Sequence, residues 1–167
     1  INPNNPTGAV YPRPVLEAIA RIAEKYHLLV LADEIYDQMT YDDAEFTPMA
    51  TLVHQTLCGT LSGLSKVYRA CGYRVGWAVF SGDVEHSRDY LSALELLSSL
   101  RLCSNVPGQW AVQTALGGYQ SIRELTAPGG RLYESRKVIV ESVAANPALV
   151  LQPPRGAMYA FVGVDTE

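Results

Sequence analysis

Pro14-Val15-Leu16-Glu17-Ala18-Ile19-Ala20-Arg21-Ile22-Ala23-Glu24-Lys25-Tyr26-His27 runs directly into Leu28-Leu29-Val30-Leu31-Ala32-Asp33, and the change of pattern at that junction decides the fold class. In the first stretch Val15, Ala18, Ile19, Ile22 and Ala23 recur at helical spacing, with Arg13, Glu17, Arg21, Glu24 and Lys25 at other positions. Residues 14–27 are therefore expected to form an amphipathic helix. Residues 28–32 are apolar throughout and end on the Asp33 carboxylate, the pattern of a short strand buried on both faces of a parallel sheet. A crossover helix feeding such a strand is part of a βαβ unit, so the fold class is α/β.

Working outward, residues 56–61 and 74–80 have the composition of further strands, with Gly72 and Gly76 marking tight backbone around Arg74. Helical character is expected over 84–101, from Asn105 and Pro107 to about 117, and over 122–145 with a break at Pro128-Gly129-Gly130. Asn146-Pro147 interrupts the pattern, and two β-like runs, 149–152 and 157–164, flank Pro153-Pro154-Arg155-Gly156. The expected division is residues 1–146 in one large domain and 147–167 opening a second, smaller one. Both ends read as cut, because there is no initiator Met before Ile1 and Glu167 follows a strand-like run.

Composition narrows the partners. Of 167 residues 48% are apolar and 18% charged, ordinary values for a globular chain. The net charge is −4 and the basic residues are scattered, leaving no stripe to neutralise nucleic-acid phosphates. No apolar run is long enough to cross a bilayer, so no membrane span is expected. Cys58, Cys71 and Cys103 are odd in number and lack metal-ligand spacing, which argues against a disulfide framework or a metal site and suits a reducing, cytoplasmic compartment.

Three groups stand where α/β enzymes place chemistry, in turns or at the C-terminal edge of a buried strand. They are Asn5 within Asn5-Pro6-Thr7-Gly8, Asp33 with Tyr36, and Lys66 with Arg74. Each has a plain structural role when taken alone. Asn-Pro-Thr-Gly makes a good turn, Asp33 suits a helix N-cap for the segment from Glu34, and Lys66 and Arg74 suit solvated surface charges.

Taken together, Asn2-Pro3-Asn4-Asn5-Pro6-Thr7-Gly8, Ala32-Asp33-Glu34-Ile35-Tyr36 and Ser62-Gly63-Leu64-Ser65-Lys66-Val67-Tyr68-Arg69 continuing through Gly72-Tyr73-Arg74-Val75-Gly76 resemble the class I and II aminotransferases of the fold-type-I pyridoxal-phosphate superfamily. Three motifs in the family's order make a specific match where one would be weak. The resemblance implies the family's large domain, an α/β fold with a mixed, mostly parallel sheet flanked by helices, and the start of its small α+β domain. It implies pyridoxal 5'-phosphate as cofactor, with Lys66 forming an imine to its aldehyde and Asp33 pairing with the pyridine nitrogen. It further implies Asn5 and Tyr36 on the ring's phenolic oxygen, and Arg74, helped by Ser65, on the phosphate. The chemistry agrees, since only a lysine amine forms a reversible imine and a guanidinium grips phosphate through paired hydrogen bonds.

Two positions depart from the family's wider pattern: Gly63, often Ser in relatives, and Arg69, commonly a small residue. Residues 63–77, 100–122 and 128–136 look most like bacterial alanine (glutamate-pyruvate) aminotransferases, which implies transfer of an amino group from alanine to 2-oxoglutarate through a pyridoxamine form, in a homodimer of the full-length protein. On the same resemblance the arginine for the substrate carboxylate lies beyond Glu167, so this stretch alone is expected to be inactive. A β-eliminating lyase on the same fold and an aminotransferase-like sensor domain of a transcription regulator are the alternatives.

Overall fold

The structure is a computed structural model and describes residues 1–165. Helix α1 (Arg13–Lys25) follows the extended Pro12 and carries Pro14 in its first turn, where the missing N–H costs nothing. The face it buries is Leu16, Ala20 and Ala23. The apolar stripe expected from the spacing is thus displaced by about one position: Val15, Ile19 and Ile22 are 44%, 44% and 55% exposed among the described residues. Tight packing of α1 on the sheet favours the two small alanines on the inner face.

The helix ends where His27 takes a left-handed φ of 49° and the Leu28 amide donates to the Ala23 carbonyl at 2.8 Å. That closing turn takes up Leu28, so β1 (Val30–Asp33) begins two residues later than its composition suggests. Strands β2 (Leu57–Gly63) and β3 (Gly76–Gly82) complete a sheet of order β1-β2-β3. The β1–β2 pair is parallel, running from Val30 opposite Cys58 to Asp33 opposite Leu61. The β2–β3 pair is antiparallel, from Leu57 opposite Gly82 to Gly63 opposite Gly76. The fold is therefore α/β with a mixed sheet, as expected. Strand β3 starts after residue 74 because Arg74 itself is left-handed, with φ 52°.

One core lies between α1 and the sheet, built from Leu16, Ala20, Ala32, Met49, Val53 and Cys58. A second lies at the sheet's C-terminal edge: Tyr36, Met39, Val67, Ile122 and Ala157 pack together, with Tyr68, Leu125, Leu132 and Tyr159 around them. This second core ties together the exits of β1 and β2 and helix α4 (Ile122–Thr126).

Helices α2 (Arg88–Ser99), α3 (Val106–Gly117) and α5 (Arg131–Ala144) complete the helical part. Asn105 caps α3 by accepting from the Gly108 amide at 3.1 Å, and the expected break at Pro128-Gly129-Gly130 separates α4 from α5. Arg136 of α5 pairs with Asp42 at 2.8 Å and donates from Nε to the Pro154 carbonyl at 2.6 Å, with its guanidinium over the Tyr41 ring. Beyond Asn146, β4 (Leu149–Val150) pairs antiparallel with β5 (Gly163–Val164). The β-like run over 157–164 is strand only at its end, since Ala157 turns left-handed at φ 58° and sends the chain across the second core.

Candidate active site

A parallel pair ends both strands on the same side, and an antiparallel neighbour begins there. Asp33 is the last residue of β1 and opposes Leu61 of β2, whose carbonyl accepts from the Glu34 amide at 2.9 Å. Lys66 lies three residues beyond the end of β2, in a turn closed by Ala70 N–H to Leu64 O at 2.9 Å and Arg69 N–H to Lys66 O at 3.0 Å. Arg74 lies just ahead of β3, across from that turn, which Leu64 N–H to Val75 O at 3.0 Å pins in place. The opening loop reaches the same edge through Asn2 N–H to Asp33 O at 3.0 Å. All three motifs thus meet at one end of one sheet.

The side chains are held by different means. Asp33 Oδ1 accepts the Ile35 amide at 3.1 Å, which caps a turn over residues 35–38 and not the helix its sequence suggested. Tyr36 is 2% exposed, and its hydroxyl lies 2.8 Å from the Tyr159 hydroxyl. Burial, the Tyr159 hydrogen bond and the Asp33 charge push the Tyr36 phenol well above the usual tyrosine range, while hydrogen bonding to the Asn5 side chain pulls it down. Tyr36 thus senses both Asp33 and Asn5. Asn5 is exposed; Ser65 and Lys66 are half-buried. Among the described residues the Lys66 amine has no hydrogen bond or ion pair. The Arg74 guanidinium is exposed and donates from Nη1 to the Cys71 carbonyl at 2.9 Å.

Gly63 and Arg69, the two departures from the family pattern, acquire physical reasons. A Cβ on Gly63 would stand 2.7 Å from the Val75 carbonyl oxygen and 3.0 Å from Gly76 Cα, both backbone atoms. Strands β2 and β3 leave no room for a side chain there. Arg69, exposed with a left-handed φ of 54°, donates to the hydroxyl of Ser121 at the start of α4, so it joins the Lys66 turn to that helix.

Tyr159 is the member that sequence reasoning missed. Pro154-Arg155-Gly156-Ala157-Met158-Tyr159 reads as a turn into a strand, but it folds back over the opening loop and the exit of β1. Gly8 O accepts the amides of Arg155 and Gly156 at 2.8 and 2.9 Å, Ala157 N–H donates to Met39 O at 2.8 Å, and the Tyr41 hydroxyl donates to Ala157 O at 2.9 Å. The Tyr36–Tyr159 contact spans 123 positions, a separation without a local signature in the sequence. The cavities of about 320 and 540 Å³ on either side of this core, lined by Arg136 and Met158 and by Tyr73 and Gln120, do not include Lys66 or Asp33 in their walls. A smaller cavity of about 130 Å³ does have Asp33 in its wall, beside Asn2, Glu34 and Met49. Among the described residues no group of three or more His, Cys, Asp or Glu is placed to hold a metal, and no helix is long and apolar enough to cross a membrane.

The sequence model for aminotransferase class I and II matches residues 1–167. A glutamate-pyruvate aminotransferase of Escherichia coli is 51% identical over 167 residues, all of this chain and 41% of its own length. An alanine aminotransferase of Mycobacterium tuberculosis is 48% identical, again over the whole chain and 39% of its own length. Among solved structures, an E. coli aminotransferase superposes with a TM-score of 0.95 over 98% of this chain and 41% of that one, at 51% identity. An alanine aminotransferase from Pyrococcus furiosus gives 0.90 over 99% and 42%, at 34% identity. The chain spans about two fifths of the length of these relatives, and it belongs to the class I and II aminotransferases.

Proposed function

We propose that this chain is the cofactor-carrying part of an aminotransferase that uses pyridoxal 5'-phosphate to move an amino group from alanine to 2-oxoglutarate. The observation that carries the proposal is the convergence of Asn5, Asp33, Tyr36, Lys66 and Arg74 at one edge of the sheet, with the Lys66 amine unpaired among the described residues. The donor set fits the cofactor group by group: an amine for an aldehyde, a carboxylate for a ring N–H, a phenol and an amide for a phenolic oxygen, a guanidinium and a hydroxyl for a phosphate. When bound, pyridoxal phosphate supplies an electron sink for the charge left as the substrate loses its α-proton.

The protein's own groups do the rest. Lys66 would hold the cofactor through its amine and, when that amine is free, would move a proton to and from the substrate α-carbon. Asp33 keeps the ring nitrogen protonated from a backbone position fixed by two strands. Tyr36 and Asn5 hold the ring oxygen. Arg74 and Ser65 hold the phosphate, with no help from position 63, where only hydrogen fits. The similarity to an enzyme named alanine aminotransferase supports that donor.

Three finer statements belong to the same proposal. The full-length protein is a homodimer, supported by the exposed apolar run Leu96, Leu97, Leu100 and Leu102, with Trp110 nearby in sequence. It is cytoplasmic, in keeping with free Cys58, Cys71 and Cys103. Residues from 147 open a smaller domain, supported by the separate β4–β5 ribbon.

The test uses the full-length protein with alanine and 2-oxoglutarate. Borohydride reduction should fix the cofactor to the peptide carrying Lys66, and Lys66→Ala should abolish both that adduct and turnover. Attachment at another lysine, or turnover retained in the variant, refutes the assignment. Pyruvate and ammonia released from a cysteine-type substrate without an oxo-acid acceptor would mark the eliminating lyase instead.

A further inference from the structure

We infer that Tyr159 is a positioning residue of this site: it donates its hydroxyl proton to Tyr36 and thereby commits the Tyr36 proton to the ring oxygen of the cofactor. The inference rests on the proposal that Tyr36 meets that oxygen. A phenol has one hydrogen and two lone pairs, so a buried tyrosine can donate to only one of its polar neighbours and must accept from the others. Tyr36 is 2% exposed and its hydroxyl is 2.8 Å from that of Tyr159, so water does not compete for its proton. Of the two orientations of the pair, only donation from Tyr159 leaves the Tyr36 hydrogen free for an acceptor at the site.

The rings hold this geometry. Their centroids are 5.7 Å apart at an interplanar angle of 90°, an edge-to-face contact that fixes both hydroxyls. Tyr159 is carried by the segment that Gly8 O and Met39 O anchor through three backbone hydrogen bonds. Tyr36 stays protonated, because burial and the Asp33 charge both raise its pKa. Asp33 is the charged group whose field reaches it. Two hydroxyls in series also polarise one another, so the Tyr36 donor is stronger with Tyr159 behind it than without.

The experiment uses the full-length protein with cofactor bound and reads the pH midpoint of the visible absorption change of the lysine-held cofactor. A donor on the ring oxygen favours the deprotonated form, so its loss raises the midpoint. Tyr36→Phe is expected to raise it by about 1 pH unit or more and Tyr159→Phe by about 0.5, one unit being a tenfold change in the proton equilibrium. The double variant should match Tyr36→Phe within about 0.2, as two groups acting in series require. Tyr159→Phe keeps the ring and its packing, so an unchanged melting curve accompanies the spectral shift.

A shift in Tyr36→Phe with none, or a downward one, in Tyr159→Phe overturns this inference alone and leaves the proposed function standing. Shifts that add in the double variant overturn it as well, because Tyr159 would then act independently of Tyr36. No shift in Tyr36→Phe overturns the placement of Tyr36 on the ring oxygen and the inference with it.

Discussion

Gly8→Ala should destabilise the full-length protein more than any ordinary glycine replacement, because two costs coincide. Gly8 has φ +69°, a conformation that charges an alanine about 1–2 kcal/mol. The new Cβ would also stand 2.3 Å from Pro154 Cβ and 2.8 Å from the Tyr159 carbonyl oxygen. Carbon atoms approach to about 3.5–4.0 Å, so the 154–159 segment must retreat by more than about 1 Å. Overpacking of that kind costs about 1–3 kcal/mol, and the retreat strains the bonds from Arg155 and Gly156 to Gly8 O. Gly129→Ala is the control: its φ is +84°, yet a Cβ there meets nothing within 4 Å. The assay is the urea unfolding midpoint. With a slope of about 3 kcal/mol per M, a difference of about 2 kcal/mol between the variants separates their midpoints by about 0.7 M. Midpoints that coincide within about 0.2 M would refute the claim that the 154–159 segment is held against Gly8.

Three further outcomes are expected. Asp33→Ala should retain cofactor but lose at least about a hundredfold in kcat, some 2.7 kcal/mol of barrier, measured as turnover against cofactor absorbance; near-normal turnover would reduce Asp33 to a turn cap. Arg74→Ala should raise the cofactor Kd about ten- to a hundredfold, the value of one charge-assisted contact, read by fluorescence titration of the apoprotein. Glu34 is buried, which raises its pKa above the usual glutamate range although the Met49 amide at 2.8 Å opposes the shift. A raised folded pKa means stability that is full below the unfolded value and lost as pH rises through the folded one. Glu34→Gln keeps the acceptor and removes the charge, so its unfolding midpoint should gain on the wild type as pH rises from about 4 to 7; a constant difference would show that the buried carboxylate carries no penalty.

The sequence carried the elements whose cause is local. Residues 14–33 announce helix then strand by a switch from spaced to continuous apolar positions, and the proposed cofactor set is legible only through three motifs in one order, since each alone suits a turn, a cap or a surface charge. The errors arise where one backbone conformation overrides composition. His27, Arg74 and Ala157 are left-handed, at φ 49°, 52° and 58°, and each moves or removes a strand boundary that an apolar run suggested. Which face of α1 is buried could not be read either, since Val15 and Ile19 are as apolar as Leu16 and only the opposing sheet selects among them. Tyr159 escaped for a different reason: its role depends on a partner chosen by the tertiary fold.

That partnership also sets a time for the site's completion. Tyr159 follows Tyr36 by 123 residues, and chains are made from the N-terminus at about 5–20 residues per second. For about 6 to 25 s of synthesis, Tyr36 therefore exists without the hydroxyl that orients it. Asp33 and the Lys66 turn, joined by neighbouring strands, are in place well before. A nascent chain can thus present the amine and the carboxylate early, while the Tyr36 donor is aligned only once the segment carrying Tyr159 has emerged and docked.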